Sequence, residues 1–143
     1  LFIEAIMNNK PIKVFNFGNM KRDFTYIDDV VECVVRLLNS PPRSNPNWDE
    51  EKAGPGTSAA PYKIYNIGNN KPVDLLELIK TLEEKIGKNS HKEFLGLQAG
   101  DVPVTYADVD ELIEDIGFKP HTCIKEGIDK FVDWYKEYYK ESK

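Results

Sequence analysis

Lys21-Arg22-Asp23-Phe24-Thr25-Tyr26-Ile27-Asp28-Asp29 is the stretch whose reading decides the fold. Phe24 and Tyr26, alternating with polar residues, suit a half-buried strand. Gly18 and Asn19 supply a turn ahead of it. Beyond it, Val30, Val31, Val34, Val35 and Leu38 recur at helical spacing, and Asp28 or Asp29 is placed to cap that helix. A short strand therefore runs straight into a helix over about Asp29 to Leu38. Arg22 stands at the start of the strand, just after the glycine turn. A guanidinium fixed there can hold a phosphate bidentately, which a lysine cannot. The same arginine would also suit a surface ion pair with Asp23 or a neighbour, and such pairs are common and weak. The residues alone leave both readings open.

On the N-terminal side, Leu1 to Asn9 reads as the end of an amphipathic helix with Phe2, Ile3 and Ile6 inward, stopped by Asn8-Asn9-Lys10-Pro11. Ile12 to Phe17 reads as a strand that Gly18 turns into the next. On the C-terminal side, residues 41 to 61 form a long loop rich in Pro, Gly, Ser and Asn with a lone Trp48, either functional or a solvated linker pinned by one aromatic. Tyr62 to Ile67 alternates like a strand, which Gly68-Asn69-Asn70 ends. Pro72 opens a helix with Leu75, Leu78, Ile79, Leu82 and Ile86 on one face and Gly87 as its C-cap. Glu93 to Leu97 reads as a strand and Gln98 to Pro103 as a polar loop. Asp108 caps a helix from Val109 to Ile116 that Gly117 ends. A last helix, about Ile124 to Lys140, buries Ile124, Ile128, Phe131, Val132 and Tyr135 behind a balanced charged rim.

The length of 143 residues suits one domain with a sizeable core, and 41% hydrophobic with 30% charged residues is ordinary for a globular chain. A net charge of -5 argues against a nucleic-acid partner but leaves room for an anion held by one arginine. Two cysteines are too few for a disulfide framework, and Cys33 falls within a helical apolar pattern as a small core residue. No apolar run reaches the roughly 18 residues of a membrane span. With few cysteines and no signal peptide, the expected compartment is the cytoplasm. The chain starts at Leu1 without an initiator methionine, which suits a fragment.

Candidate chemistry is sparse. There is no Gly-x-Gly-x-x-Gly after a strand, hence no dinucleotide fingerprint. Tyr139 and Lys143 share a Tyr-x-x-x-Lys spacing but sit at the end of the chain, and the match reads as chance. Tyr135, Tyr138 and Tyr139 read as packing along the last helix. His91 and His121 lack zinc-ligand spacing. The acidic group Asp108, Asp110, Glu111, Glu114 and Asp115 reads as a helix N-terminus with a solvated face.

Arg22 to Asp29 resembles the RDF-x-Y-(I/V)-x-D signature of the extended short-chain dehydrogenase/reductases, the family of nucleotide-sugar epimerases, dehydratases and decarboxylases. Pro11 to Phe24 is most similar to the UDP-glucuronate 4-epimerases. So are Tyr62 to Asn69 with Pro72-Val73 behind them, and the long loop ending in Ala60-Pro61-Tyr62. The resemblance covers essentially the whole chain, but only the C-terminal part of such an enzyme. It implies an α/β fold for residues 1–143: Rossmann-type sheet elements plus a small α/β substrate-binding domain, with the NAD-binding part lying ahead of Leu1. It implies that Arg22 holds the UDP diphosphate and that Asp101 hydrogen-bonds the ribose, although Asp101 also reads as a turn residue after Gly100. Gln98 stands where many relatives carry a second phosphate-binding arginine, a departure shared with the glucuronate epimerases. Phe15 and Val14 are expected to border the uracil. The expected parent enzyme oxidises the sugar's fourth carbon with NAD, rotates the keto intermediate and returns the hydride to the other face; these residues alone would be inactive. A dehydratase, a decarboxylase or a non-catalytic nucleotide-sugar binding module are the alternatives. The expected partner is a UDP-sugar, not nucleic acid or a membrane. A homodimer or self-association is expected through Tyr62 to Ile67, which carries apolar groups on both faces, or through the helix from Asp29 to Leu38.

Overall fold

Helices and short strands alternate in the computed structural model, which describes residues 1–140. In chain order they are α1 (Phe2–Met7), β1 (Ile12–Val14), β2 (Lys21–Asp23), α2 (Ile27–Asn39), β3 (Pro72–Asp74), α3 (Leu75–Ile86), β4 (Lys92–Phe94), α4 (Asp110–Ile116) and α5 (Ile124–Lys140), with a 3-10 turn at Phe15–Gly18. The chain divides into two compact units. The first holds Leu1–Phe24, Lys71–Tyr106 and the residues from Thr122 onward; the second holds Thr25–Asn70 and Ala107–His121.

The core of the first unit gathers Ile3 and Ile6 of α1, Ile12 and Val14 of β1, Leu78, Ile79 and Leu82 of α3, and Ile128 and Val132 of α5. The helical members are those that a 3.6-residue period places on one face of each helix. Gly87 ends α3 in the left-handed conformation, φ +78°, as expected for a glycine C-cap. Lys85 of α3 reaches Asp133 (3.0 Å) and Asp129 (3.8 Å) of α5. Phe131 is not part of this core: it stays 38% exposed and stacks on Trp134, ring centroids 5.9 Å apart. Ile128 and Val132 have filled the face toward α3, which leaves Phe131 at its edge.

Two two-stranded sheets organise the rest of this unit. β1 pairs in parallel with β4, Ile12 opposite Lys92 and Val14 opposite Phe94. β2 pairs antiparallel with β3, Arg22 opposite Val73. The strand expected over Ile12 to Phe17 therefore stops at Val14, because Asn16 and Phe17 take positive φ (49° and 51°) and coil the chain into the 3-10 turn. Gly18 follows at φ +83°, and a Cβ there would lie 2.8 Å from the Leu76 side chain. The left-handed φ is what calls for glycine here. Pro72 does not open α3 as expected. It is the first residue of β3, a position where the missing N–H costs nothing.

In the second unit α2 runs longer than expected. Its N-cap is Tyr26, without a side-chain bond, so neither Asp28 nor Asp29 caps it. Asp29 is instead 4% exposed, and its Oδ2 accepts the backbone N–H of His121 at 3.0 Å. A buried carboxylate needs such a donor, and the 118–121 segment needs the acceptor. Asp108 accepts the N–H of Asp110 (3.2 Å) at the start of α4, and Gly117 ends that helix at φ +62°. Cys33, Val109 and Leu112 are buried, as expected for Cys33. The other face of α2 is bare: Val31 is 51% and Leu38 76% exposed, with Ile27, Val34 and Val35 exposed beside them.

The long loop closes on itself. Asn45 N–H donates to Ala59 O (3.0 Å), and the Trp48 indole N–H donates to Thr57 Oγ1 (3.1 Å). This is the closure of an Ω-loop packed by its own side chains. Tyr62 to Ile67 is not a strand. Its backbone meets only the loop beside it, through Ile64 N–H to Gly56 O (2.8 Å) and a single bridge between Thr57 and Lys63. Among the described residues of this unit no strand lies alongside, and an alternating pattern without a neighbour makes no ladder.

Candidate functional site

β2 holds Arg22 from both sides. Beyond β3, Lys21 N–H donates to Pro103 O (2.8 Å) and Thr105 N–H to Lys21 O (3.1 Å), while Asp23 N–H reaches Thr105 Oγ1 (3.1 Å). The segment after Gln98 is thus laid along β2. The Arg22 guanidinium donates Nη2–H to Asp101 Oδ1 at 2.7 Å and Nη1–H to Pro103 O (3.2 Å) and its own Lys21 O (2.9 Å). Of its five N–H donors, two remain uncommitted among the described residues. Asp101 is set by the turn that Gly100 (φ +82°) permits: Asp101 N–H closes on Gln98 O at 3.1 Å. Its Oδ1 also accepts Val102 N–H (3.0 Å), and no partner engages Oδ2 among the described residues. The pair is half-buried, the side chains 24% and 32% exposed. A charge-assisted contact so placed fixes the cation and leaves donors of one residue and an acceptor of the other facing outward.

Three of the sequence-predicted residues, Arg22, Gln98 and Asp101, come together here. The ion-pair partner of Arg22 is Asp101 rather than Asp23. Gln98 is exposed. Phe15 is half-buried in the 3-10 turn, whereas Val14 is fully buried in β1 and its carbonyl accepts Leu95 N–H (2.9 Å). Val14 therefore presents no wall to a ligand in this arrangement, because the parallel pairing with β4 turns its side chain into the core.

A second polar cluster escaped the sequence reading. In the second unit Asp115 of α4 accepts from Lys63 Nζ (2.7 Å) and Tyr65 Oη (2.5 Å), with Glu111 3.6 Å from Lys63. Lys63, Tyr65 and Asp115 line a groove of about 570 Å³ with Trp48, Arg43 and Tyr62. Burial pushes the Tyr65 hydroxyl up to about 12, helped by its hydrogen bond to Asp115 and that carboxylate's charge. The hydrogen bonds from Lys63 and then Tyr65 hold Asp115 below the usual carboxylate range, and the bond to Asp115 raises Lys63. The Tyr65 hydroxyl thus keeps its proton, and the cluster acts as a clamp tying 63–65 to α4. The acidic group had looked solvated because Asp115 meets its partners across 50 and 52 residues of chain, which no local pattern reveals.

Among the described residues no group of three or more His, Cys, Asp or Glu is placed to hold a metal ion. Among the described residues no helix is long and apolar enough to cross a membrane. Lys143 of the Tyr139/Lys143 spacing lies outside the described residues. Nor do the described residues fit a dinucleotide. β1 leads into a 3-10 turn and β2 through Phe24–Tyr26 into α2, neither through a glycine-rich turn at a helix N-terminus. No hydride step is assigned to these residues.

Comparison with known proteins meets this geometry. Residues 1–68 match the model of the NAD dependent epimerase/dehydratase family. The chain is 54% identical over 98% of its length to Protein CapI of Staphylococcus aureus, spanning 42% of that protein. It is 41% identical over 99% of its length to a probable UDP-glucuronate 4-epimerase of Rhizobium meliloti, again spanning 42%. The crystal structure of UDP-glucuronic acid 4-epimerase from Bacillus cereus, in complex with UDP-glucuronic acid and NAD, superposes with a TM-score of 0.74 at 27% identity. It covers 96% of this chain and 39% of that one. The chain is similar to the C-terminal part of a UDP-glucuronate 4-epimerase-like extended short-chain dehydrogenase/reductase. It spans about two-fifths of the length of these relatives. Its mixed α/β build is that of the extended epimerase/dehydratase structures.

Proposed function

We propose that residues 1–143 are the C-terminal, nucleotide-sugar-binding portion of an NAD-dependent UDP-glucuronate 4-epimerase, with NAD bound by a part N-terminal to Leu1. The observation that carries this is the Arg22–Asp101 pair. A half-buried guanidinium keeps two N–H donors for a diphosphate, and a carboxylate beside it keeps one oxygen for a ribose hydroxyl. In the whole enzyme, NAD would supply the hydride chemistry at the sugar's fourth carbon. The residues described here would hold the UDP end so that the sugar can be presented on either face. A nucleotide-sugar dehydratase or decarboxylase would use the same anchor. Supplying UDP-glucuronate to a protein that joins these residues to the NAD-binding part separates them: inversion at the fourth carbon supports the reading, whereas release of water or carbon dioxide replaces it with one of the others. The 143 residues alone should turn over nothing.

The same reading includes self-association. Ile27, Val31, Val34 and Leu38 repeat at intervals of four, three and four along the exposed face of α2, the spacing of a helix-pairing seam. In an antiparallel pair, the exposed Asp28 in the first turn of one copy would meet the last turn of the other, which carries Arg36. A homodimer through α2 is the arrangement that this favours.

A further inference from the structure

We propose that the groove in the second unit, walled by the long loop and by Lys63, Tyr65 and Asp115, is a binding site for a sugar acid, a saccharide ring carrying one carboxylate. The groove lies wholly within the second unit, and the proposal does not rest on the Arg22–Asp101 anchor. Two elements are usually joined by about 4–6 residues, far fewer than residues 41 to 61 provide. Their closure, Asn45 on Ala59 and Trp48 on Thr57, makes the loop a built wall rather than a slack linker. At about 570 Å³ the groove has the size of a small-ligand site. Its floor is formed in advance, since Asp115 Oδ2 already holds both Lys63 and Tyr65.

The charges of the groove set the sign of its ligand. Lys52 is paired with Asp49 (2.8 Å) and Lys63 with Asp115 (2.7 Å). Arg43 is exposed and makes no ion pair or hydrogen bond among the described residues. The groove is thus left with a surplus positive charge, on a chain whose net charge is -5. A single carboxylate matches that surplus, and a guanidinium takes it bidentately; a diphosphate would bring more negative charge than Arg43 offsets. The remaining groups set the body of the ligand. The Trp48 indole is fixed in the wall by its bond to Thr57 Oγ1 (3.1 Å), and Tyr62, 47% exposed, lines the groove as well. Aromatic faces receive the C–H groups of a sugar ring. The Asn47 side-chain amide and the Asn45 Nδ2 make no hydrogen bond among the described residues, and they suit hydroxyls. An apolar ligand would leave Arg43 and these amides unpaired, and a bare carboxylate would leave the rings uncovered.

Titration of the ¹⁵N-labelled chain with glucuronate, glucose, acetate and UDP tests this by nuclear magnetic resonance. The chain has two tryptophans, so Trp134 in α5 is the internal control for Trp48. The Trp48 indole signal should shift saturably with millimolar glucuronate while Trp134 stays still, and glucose should bind at least about tenfold more weakly. Arg43→Gln should weaken glucuronate about tenfold and leave glucose unchanged, whereas Tyr62→Ala should weaken both. A trimer of galacturonate that binds more tightly than the monomer supports an acidic polysaccharide as the source of the ligand, and equal affinity supports a single sugar acid. No Trp48 shift up to about 100 mM glucuronate overturns the site. Unchanged glucuronate affinity in Arg43→Gln overturns the role of the cation and the proposal with it. An equal response to acetate shows a general anion site and overturns the sugar assignment. An equal response to UDP overturns it too and counts against the Arg22 anchor, which the other failures leave standing.

Discussion

Arg22 and Asp101 stand 79 residues apart in the chain and 2.7 Å apart in space. If Arg22 holds the phosphates as proposed, replacing it with Ala removes a charge-assisted contact worth roughly 1.5–3 kcal/mol, and UDP affinity should fall about ten- to a hundredfold. Arg22→Lys should recover only part of it, because the fork is lost. Asp101→Asn should cost less, since an amide oxygen still accepts from a ribose hydroxyl. Fluorescence titration of the three variants checks the ranking, and a larger loss in Asp101→Asn would reverse it. The Asp115 clamp makes two further predictions, on opposite limbs of the pH axis. Asp115 is held below its ordinary value of 3.8, so its contribution is present above that value and is lost as the pH falls through it. The Tyr65 hydroxyl is raised from 10.0 to about 12, so its contribution is present below 10 and is lost as the pH climbs between those values. Urea midpoints measured from pH 3 to 12 should fall at both ends. Tyr65→Phe should flatten the alkaline fall, and Lys63→Met the acid one. A cation after a glycine turn marked Arg22 as a candidate while leaving a plain ion pair open, and only the family resemblance pointed to Asp101; their pairing across 79 residues was not legible. The Asp115 cluster was not legible either, since contacts across 50 and 52 residues leave no mark in local sequence.

The helices could be read closely, because each carries its own period and punctuation. α3 and α5 show their buried faces at 3.6-residue spacing, and Gly87 and Gly117 stop α3 and α4 in the left-handed conformation that glycine tolerates. Strands were read less well. Ile12 to Phe17 has an apolar alternation that continues past Val14, but the positive φ of Asn16 and Phe17 ends the ladder. Tyr62 to Ile67 alternates as a strand should and pairs with nothing but its own loop, since pairing is a property of two segments. α2 shows the same dependence from the other side: its apolar pattern is right, yet most of that pattern faces out. Two substitutions separate these cases. Ile79→Ala, in the packed face of α3, should cost about 2–5 kcal/mol of unfolding free energy by chemical denaturation. Leu38→Glu, on the bare face of α2, should cost well under 1 kcal/mol. A large loss in Leu38→Glu would mean that this face is packed in solution within one chain. Gly18→Ala should cost roughly 1–2 kcal/mol for its left-handed φ alone, since the half-exposed Leu76 side chain can swing away from a new Cβ.

At the scale of the whole molecule, a bare helix face in one unit and the proposed anion anchor in the other belong to a chain that spans about two-fifths of its relatives. Light scattering over a concentration series should show the chain self-associating, with Leu38→Glu shifting it toward monomer. A strictly monomeric parent would remove α2 as a pairing surface. The anchor is the central claim, and nuclear magnetic resonance of the ¹⁵N-labelled chain titrated with UDP tests it most directly. The account predicts saturable shifts centred on the amides of Phe17 to Asp23 and Gln98 to Thr105, absent in Arg22→Ala. Shifts centred instead on the 42–65 groove and Asp115, or no shifts at millimolar UDP, would contradict it.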